Sequence, residues 1–426
     1  MSSILPRCPI VVSQFGKNLG VYFMMTVPEQ SHANPAAASG RVEFVDALRG
    51  FALFGLLVVH SIQHFGAGFN GPTSEPWSVV IHTIFAGKAF AIFALLFGFG
   101  FATIMANQRS RGIDFTGRFV WRLVLLLLIG TLHSLIYSGD ILQVLALMGF
   151  LLIPLDRVRS NLVLLAIAAL CFLQIPLLAQ ALLAHWGSAF AGSVPYVVAG
   201  PASQALTEGS FLDVTLYNAT GGLAGKWSFN WSTGRVSEIA GLFVVGVVLQ
   251  RTGMFARLSQ ERHLALKAVT IGGLVLAMTI LFGKPLLPTS SAAGEFAIWP
   301  FSARWIYEQW FGLALITIQI GILALLWNSS AQFLVGIFKL PGRMTLSLYV
   351  LHSVLAAPFF YEYGLGMWDD LSPPNAVFAA IIFFALQIAF AKWWYAQYRY
   401  GPLEWTWRAA TLTDWKVPMR NHPQSA

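Results

Sequence analysis

Ten stretches of apolar residues dominate the chain. They lie at about 48–66, 79–105, 117–137, 140–155, 161–184, 236–252, 264–283, 304–327, 344–364 and 375–398. Most have the length, roughly 17–25 residues, that an α-helix needs to cross about 30 Å of hydrocarbon. The fourth and sixth are short, and the fourth follows the third across only Ser138 and Gly139, a tight hairpin. Only 10% of the residues are charged and 57% are hydrophobic, whereas a soluble domain carries about 25% charged residues. Such a chain cannot cover a large core with polar surface. An ordinary soluble enzyme, a disordered protein and a secreted disulfide scaffold are excluded. The expected fold is all-α: a polytopic integral membrane protein of about ten transmembrane helices. Thirty-eight Gly and 20 Pro suit closely packed, bent membrane helices. Cys8 and Cys171 are too few for a disulfide framework and are expected to be free thiols.

The basic residues predict orientation. The segment before helix 1 and the 2–3, 4–5, 6–7 and 8–9 connections, together with the tail, hold 21 of the 26 Lys and Arg. The 1–2, 3–4 and 9–10 connections hold none. Positive residues stay on the cytoplasmic side, so both termini are expected there. The formal charge of +8 is then topology, and no nucleic-acid partner is needed. Residues 1–40 fall outside the apolar pattern and read as a poorly ordered arm, with Met25 a natural alternative start. Residues 41–408 form one transmembrane helical domain, with a carboxy-terminal block from about 230, and 409–426 form a cytoplasmic tail. The connection at about 185–235 is long and rich in Trp, Tyr and Phe. It suits either anchoring at the membrane interface or a cover over a substrate.

Ionisable groups inside a bilayer are expensive, so each is a candidate site. With a rise of 1.5 Å per residue, His60 on helix 1 and His133 on helix 3 lie roughly 20 Å and 24 Å from the cytoplasmic side. His64 follows His60 by one turn. On helix 2, His82 is near the outer surface and Lys88 is near the midplane, with Asp140 opening helix 4. These groups share one level on four consecutive helices. Single interfacial histidines such as His64 and His82 also arise without function. A midplane lysine needs a carboxylate, a carbonyl or a water-filled cavity, and Asp140 is a candidate partner for Lys88 as well as a candidate helix cap. At the cytoplasmic start of helix 1, Arg41, Glu43, Asp46 and Arg49 cluster. They read either as a snorkelling anchor with its salt bridge or as a phosphate-handling mouth. Arg343, and His352 roughly 12 Å in from it, would line the inner half of the same cavity. No zinc, P-loop, dinucleotide or nucleophile-elbow motif is present. Gly98 and Gly100 read as helix-packing glycines.

Several of these segments resemble one family. RVEFVDALRGFALFGLLVVH (41–60), GKAFAIFALLFGFGFA (87–102), GTLHSLIYSGDIL (130–142), GRMTLSLYVLHS (342–353) and GPLEWTWR (401–408) resemble the YeiB-like membrane proteins, domain of unknown function 418. His352 departs from the pattern, which more often has Gln before Ser. The family is itself similar to transmembrane acyltransferases, the acyltransferase-3 and heparan-α-glucosaminide N-acetyltransferase group. That similarity implies an acyl group passing from cytoplasmic acyl-CoA to a small-molecule or glycan acceptor on the outer face of the cell membrane.

Two functions are therefore carried forward. In an acyltransferase, Arg41, Arg49 and Arg343, with Asp46 and His352 beside them, would receive the donor acyl-CoA. His60 or His133 would act as base, Asp140 would orient His133, and Lys88 or a backbone donor would stabilise the oxyanion, with no metal. In a proton-coupled transporter or flippase, the same His, Lys and Asp would form a relay. A homodimer is compatible with either.

Overall fold

The computed structural model describes residues 42–67, 75–187, 202–287 and 298–421. The expectations for the arm at 1–40 and for Arg41, Cys8 and Tyr196 lie outside the described residues. The described part belongs to one compact unit beginning at Arg41. Its regular structure is helical, and apart from one isolated bridge between Tyr398 and Arg420 no strand pairing forms among the described residues.

Helix α1 (Glu43–Ile62) is central: 78% of its apolar window is buried inside the protein. Helices α2 (Pro76–Phe85) and α3 (Lys88–Arg109) make one broken crossing, hinged at Gly87, whose φ of +77° suits glycine. Helix α4 (Thr116–Ser134) leads into α5 (Leu142–Gly149) and α6 (Leu152–Leu155). Next come α7 (Asn161–Phe172) and α8 (Ile175–His185). The long connection is itself helical where described, with α9 (Ala202–Thr207), α10 (Phe211–Tyr217) and α11 (Leu223–Ser232). After a 69° bend the chain enters α12 (Arg235–Arg251), then α13 (Met254–Leu258) and α14 (Arg262–Met278). Helix α15 (Ile298–Trp327) runs 30 residues. Helices α16 (Gln332–Gly336) and α17 (Lys339–Arg343) meet α18 (Thr345–Phe360) at an 83° bend. The chain closes with α19 (Pro373–Gln397) and an amphipathic α20 (Pro402–Leu412).

Seven of these helices or helix pairs are long and apolar enough to cross a membrane, and nine if each bent pair is one span. The protein is thus a multi-pass membrane protein. The fourth expected span, α5 with α6, is too short to qualify. Its far end nevertheless reaches the basic end of the bundle, because Asp156 accepts a 2.6 Å hydrogen bond from Arg109 at the end of α3. Arg251 closes the same end by donating to the carbonyls of Val158 and Asp156. Glu43 pairs there with Lys339 at 2.7 Å.

The bundle packs through small residues. A Cβ on Gly98 would strike the carbonyl of Phe243, and one on Gly246 would strike the carbonyl of Leu95, so α3 and α12 touch backbone to backbone. Gly100 differs from expectation: its nearest outside neighbour is the guanidinium of Arg49, and it lines a cavity. At the periphery only 11% of the apolar window of α14 is buried, and Leu274, Phe282, Phe378 and Leu386 are outward and exposed. These faces suit hydrocarbon. Cys171 is a free, half-buried thiol.

Candidate functional site

Four of the expected residues, His60, His133, Asp140 and His352, meet in the core. His133, in the last turn of α4, is held by a hydrogen bond from its Nδ1 to Oδ1 of Asp140 at 2.7 Å, with both side chains buried. The carboxylate is positioned by the turn that joins α4 to α5, where its Oδ2 accepts the backbone N–H of Gln143 at 2.8 Å. Because a carboxylate only accepts, Nδ1 carries the proton and the lone pair of His133 is on Nε2. That Nε2 is buried and has no hydrogen-bond partner among the described residues.

Aromatic rings join His133 to two further histidines. The ring of Tyr349 on α18 is 5.2 Å from His133 and 6.4 Å from His352. The Tyr349 hydroxyl accepts the N–H of Ile141, next to Asp140. His60 packs against Tyr137 and Phe65, at 5.1 Å and 5.6 Å, and lies within electrostatic reach of both His133 and His352. His352 is fully buried and donates Nε2–H to Gln387 Oε1 at 2.9 Å, which leaves its Nδ1 unpartnered. The level assigned to His352 from its distance along the helix is corrected: it stands with His60 and His133 and does not line the arginine cavity. Above this cluster the chain after α1 turns sharply. His64 and Phe65 both have positive φ, costing on the order of 1 kcal/mol each, and Tyr361 fixes the turn by donating to the Phe65 carbonyl at 2.7 Å. His64 stacks on Phe360, and His82 donates within its own helix to Ser78.

Lys88 does not join this group. It faces another way. Its charged neighbours are Glu308, Arg235 and Glu238, and its Nζ lies 5.7 Å from the Phe311 ring centre. Arg235 in turn lies 3.9 Å from Glu238 and rests over Phe90 and Phe229. The pairing of Lys88 with Asp140 is therefore corrected. The break at Gly87 turns the start of α3 toward α12 and α15. The lysine within electrostatic reach of Asp140 is Lys226 on α11.

A cavity of about 300 Å³ opens on the other side of Tyr349, at the lower end of volumes that hold small ligands, roughly 300–1,000 Å³. Its walls are apolar, from α3, α4 and α5, and three arginines line it: Arg49, Arg122 and Arg343. Asp46 is buried beneath Arg49 and holds it at 3.1 Å, and α17 comes close because a Cβ on Gly342 would strike the Asp46 carbonyl. Arg343 stacks on Tyr395 at 4.3 Å, and its Nε has no hydrogen-bond partner among the described residues. Arg122 lies 3.5 Å over Trp407. Here α20 supplies one wall. Glu404 accepts the N–H groups of Leu346 and Ser347 and the Ser347 hydroxyl, capping α18. Trp407 donates to the Arg122 carbonyl and Trp121 to that of Ala410, which clamps α20 on α4. Arg122, Tyr349, Lys226 and Glu404 had no site role in the sequence reading. Arg122 carried a signal, an arginine inside an apolar helix.

Among the described residues, no three His, Cys, Asp or Glu side chains gather so as to hold a metal ion.

The relatives agree with the resemblance in the sequence. Residues 249–414 match the family model described as protein of unknown function DUF418. The uncharacterised protein YxaH of Bacillus subtilis (strain 168) is 24% identical over 411 residues, covering 91% of this chain and 98% of YxaH. The chain is similar to the YeiB-like proteins, and its carboxy-terminal part matches the DUF418 family model. The uncharacterised protein YeiB of Escherichia coli (strain K12) is 25% identical over 410 residues, 86% of this chain and 95% of YeiB. The DUF418 match contains Arg343, His352 and Glu404; His60, His133 and Asp140 precede it.

Proposed function

We propose that this protein is an acyltransferase of the cell membrane, with the basic end in the cytoplasm. One observation carries the reading. The arginine-lined, apolar-walled cavity and the His133–Asp140 pair share one side chain, Tyr349, and one turn, Ile141. An acyl-CoA has a matching make-up, with phosphates for Arg49, Arg122 and Arg343 and an acyl chain for the Phe and Leu walls. Arg41 remains a further candidate at this mouth.

In this reading the acceptor enters from the histidine end. Nε2 of His133 takes the proton of its hydroxyl or amine as the oxygen or nitrogen attacks the thioester carbonyl. The carbon–sulfur bond then breaks, and the coenzyme A thiolate leaves with the proton returned from the imidazolium. Asp140 holds the tautomer and stabilises the imidazolium. Rotation of the Tyr349 ring would connect cavity and imidazole. His60 and His352, each with an unpartnered Nδ1, extend the polar lining. The oxyanion role considered for Lys88 falls away, because Lys88 belongs to the Glu238 and Arg235 group.

The test is acetyl-CoA and longer acyl-CoA binding and hydrolysis by purified protein, with His133→Ala and Arg343→Met as controls. Saturable binding lost in Arg343→Met, with turnover lost in His133→Ala, is expected. Absence of binding to the wild type would remove the reading. A proton-coupled transporter is favoured by the two bent spans. Substrate uptake into vesicles driven by a pH gradient, with no acyl-CoA binding, would establish it instead.

A further inference from the structure

The buried ammonium of Lys226 has no part in the mechanism above. Helix α11 lies against the turn that carries Asp140. Asn218, just before it, donates to the Leu135 carbonyl at 3.0 Å. A Cβ on Gly222 would come within 2.8 Å of the Ser138 side chain. Lys226 is four residues beyond Gly222 and so shares its helix face. Its Nζ is buried and has no hydrogen-bond partner among the described residues. Asp140 is its charged neighbour, but both Asp140 oxygens are already engaged, Oδ1 by His133 and Oδ2 by Gln143. An ammonium is a donor only, with three N–H bonds, and a buried charge whose donors are unmet is costly.

We propose that Lys226 binds an anionic oxygen of a molecule that reaches His133 from the end opposite the three arginines. This deepens the acyl-transfer reading and rests on it for one point only: the anion would belong to the acceptor, which is then a phosphate- or carboxylate-bearing compound and not a neutral sugar. The charge would anchor the acceptor and set its hydroxyl or amine beside Nε2 of His133. Helix α11 thereby contributes a binding group to the site. The same chemistry is offered by a soluble anion and by a lipid headgroup.

The experiment uses the full chain in nanodiscs of phosphatidylcholine alone or with phosphatidylglycerol. Inorganic phosphate and acetate are titrated against thermal unfolding, with chloride of equal ionic strength as control. All proteins carry Arg343→Met, to weaken the arginine cavity, and are compared with and without Lys226→Met, Lys226→Gln and Lys226→Arg. The expected result is stabilisation by phosphate or acetate in phosphatidylcholine discs if the ligand is soluble, or by phosphatidylglycerol if it is a headgroup. In either case Lys226→Met and Lys226→Gln weaken the apparent affinity about tenfold or more, and Lys226→Arg retains it in part. Equal stabilisation with and without Lys226, or none by any of the three probes, would overturn the proposal. Because no acyl-CoA is present, this outcome is independent of acyl transfer. An acyl-CoA-inactive protein that still shows the Lys226-dependent shift would remove the acyltransferase reading and leave the anion site standing.

Discussion

Asp140 and His133 are seven residues apart and joined at 2.7 Å across the turn between α4 and α5, both out of contact with solvent. The carboxylate also accepts the Gln143 N–H. One acidic side chain thus starts α5 and fixes the tautomer of the imidazole. Structure and chemistry cannot be separated at this residue by simple deletion.

The substitution that separates them is Asp140→Asn. It keeps the shape and an acceptor for Gln143, but loses the charge that favours Nδ1–H and the imidazolium. A fall in acyl-CoA turnover of about 10²–10⁴ is expected, with little change in acyl-CoA affinity. Asp140→Ala should also lower stability by about 1–3 kcal/mol, since two buried donors lose their acceptor. Steady-state kinetics and thermal unfolding of the same preparations read both effects.

Arg343 is the arginine whose loss should show most directly in ligand binding. Its Nε has no partner among the described residues, so Arg343→Met removes a donor without freeing a carboxylate there. Acyl-CoA affinity should weaken about tenfold or more, and its salt dependence should decrease. Equilibrium binding at two ionic strengths measures this. Unchanged affinity would place the donor elsewhere.

The contact between α3 and α12 should tolerate no side chain. Gly98→Leu and Gly246→Val each drive atoms into a backbone carbonyl, and overpacking of that kind costs about 1–3 kcal/mol or more. Gly273 on α14 has open space where a Cβ would go, so Gly273→Ala should be neutral or stabilise by about 0.5–1 kcal/mol. Melting temperatures in one detergent should separate the two sites.

Glu404 predicts a pH dependence. Burial pushes its carboxyl above the usual carboxylate range, partly opposed by hydrogen bonds from Ser347 and Leu346. The folded protein therefore holds this proton more tightly than the unfolded chain. The associated stability is complete below about pH 4.3, the ordinary glutamate value, and is lost as pH rises through the folded value. Wild-type melting temperature should fall over that window, and Glu404→Gln should flatten this component. Parallel curves for the two proteins would contradict it.

Helix class and most spans were legible because hydrophobic length acts along one dimension. The family likeness and the His133–Asp140 contact were legible for a related reason: a seven-residue separation across a tight hairpin leaves few arrangements. Lys88 was misassigned because rise per residue gives depth but not rotation about the helix axis. Packing sets rotation, and the break at Gly87 turns Lys88 toward Glu238 and Glu308. Lys226 was overlooked because it lies in a connection read for its aromatic residues. The α5–α6 stretch was read as a span because it is apolar, but it is too short to qualify as one, and the Arg109–Asp156 pair and the Arg251 hydrogen bonds fix where it ends.

The cavity has walls from opposite ends of the chain. Arg49 belongs to the first span, and Glu404 and Trp407 belong to the last helix. During synthesis every intervening span must be inserted before α20 can close against α4 and cap α18. A chain stopped before residue 402 would hold its histidines and most of its arginines in an unfinished trough. The cavity is therefore a late product of biogenesis, complete only once α20 has docked against α4 and α18.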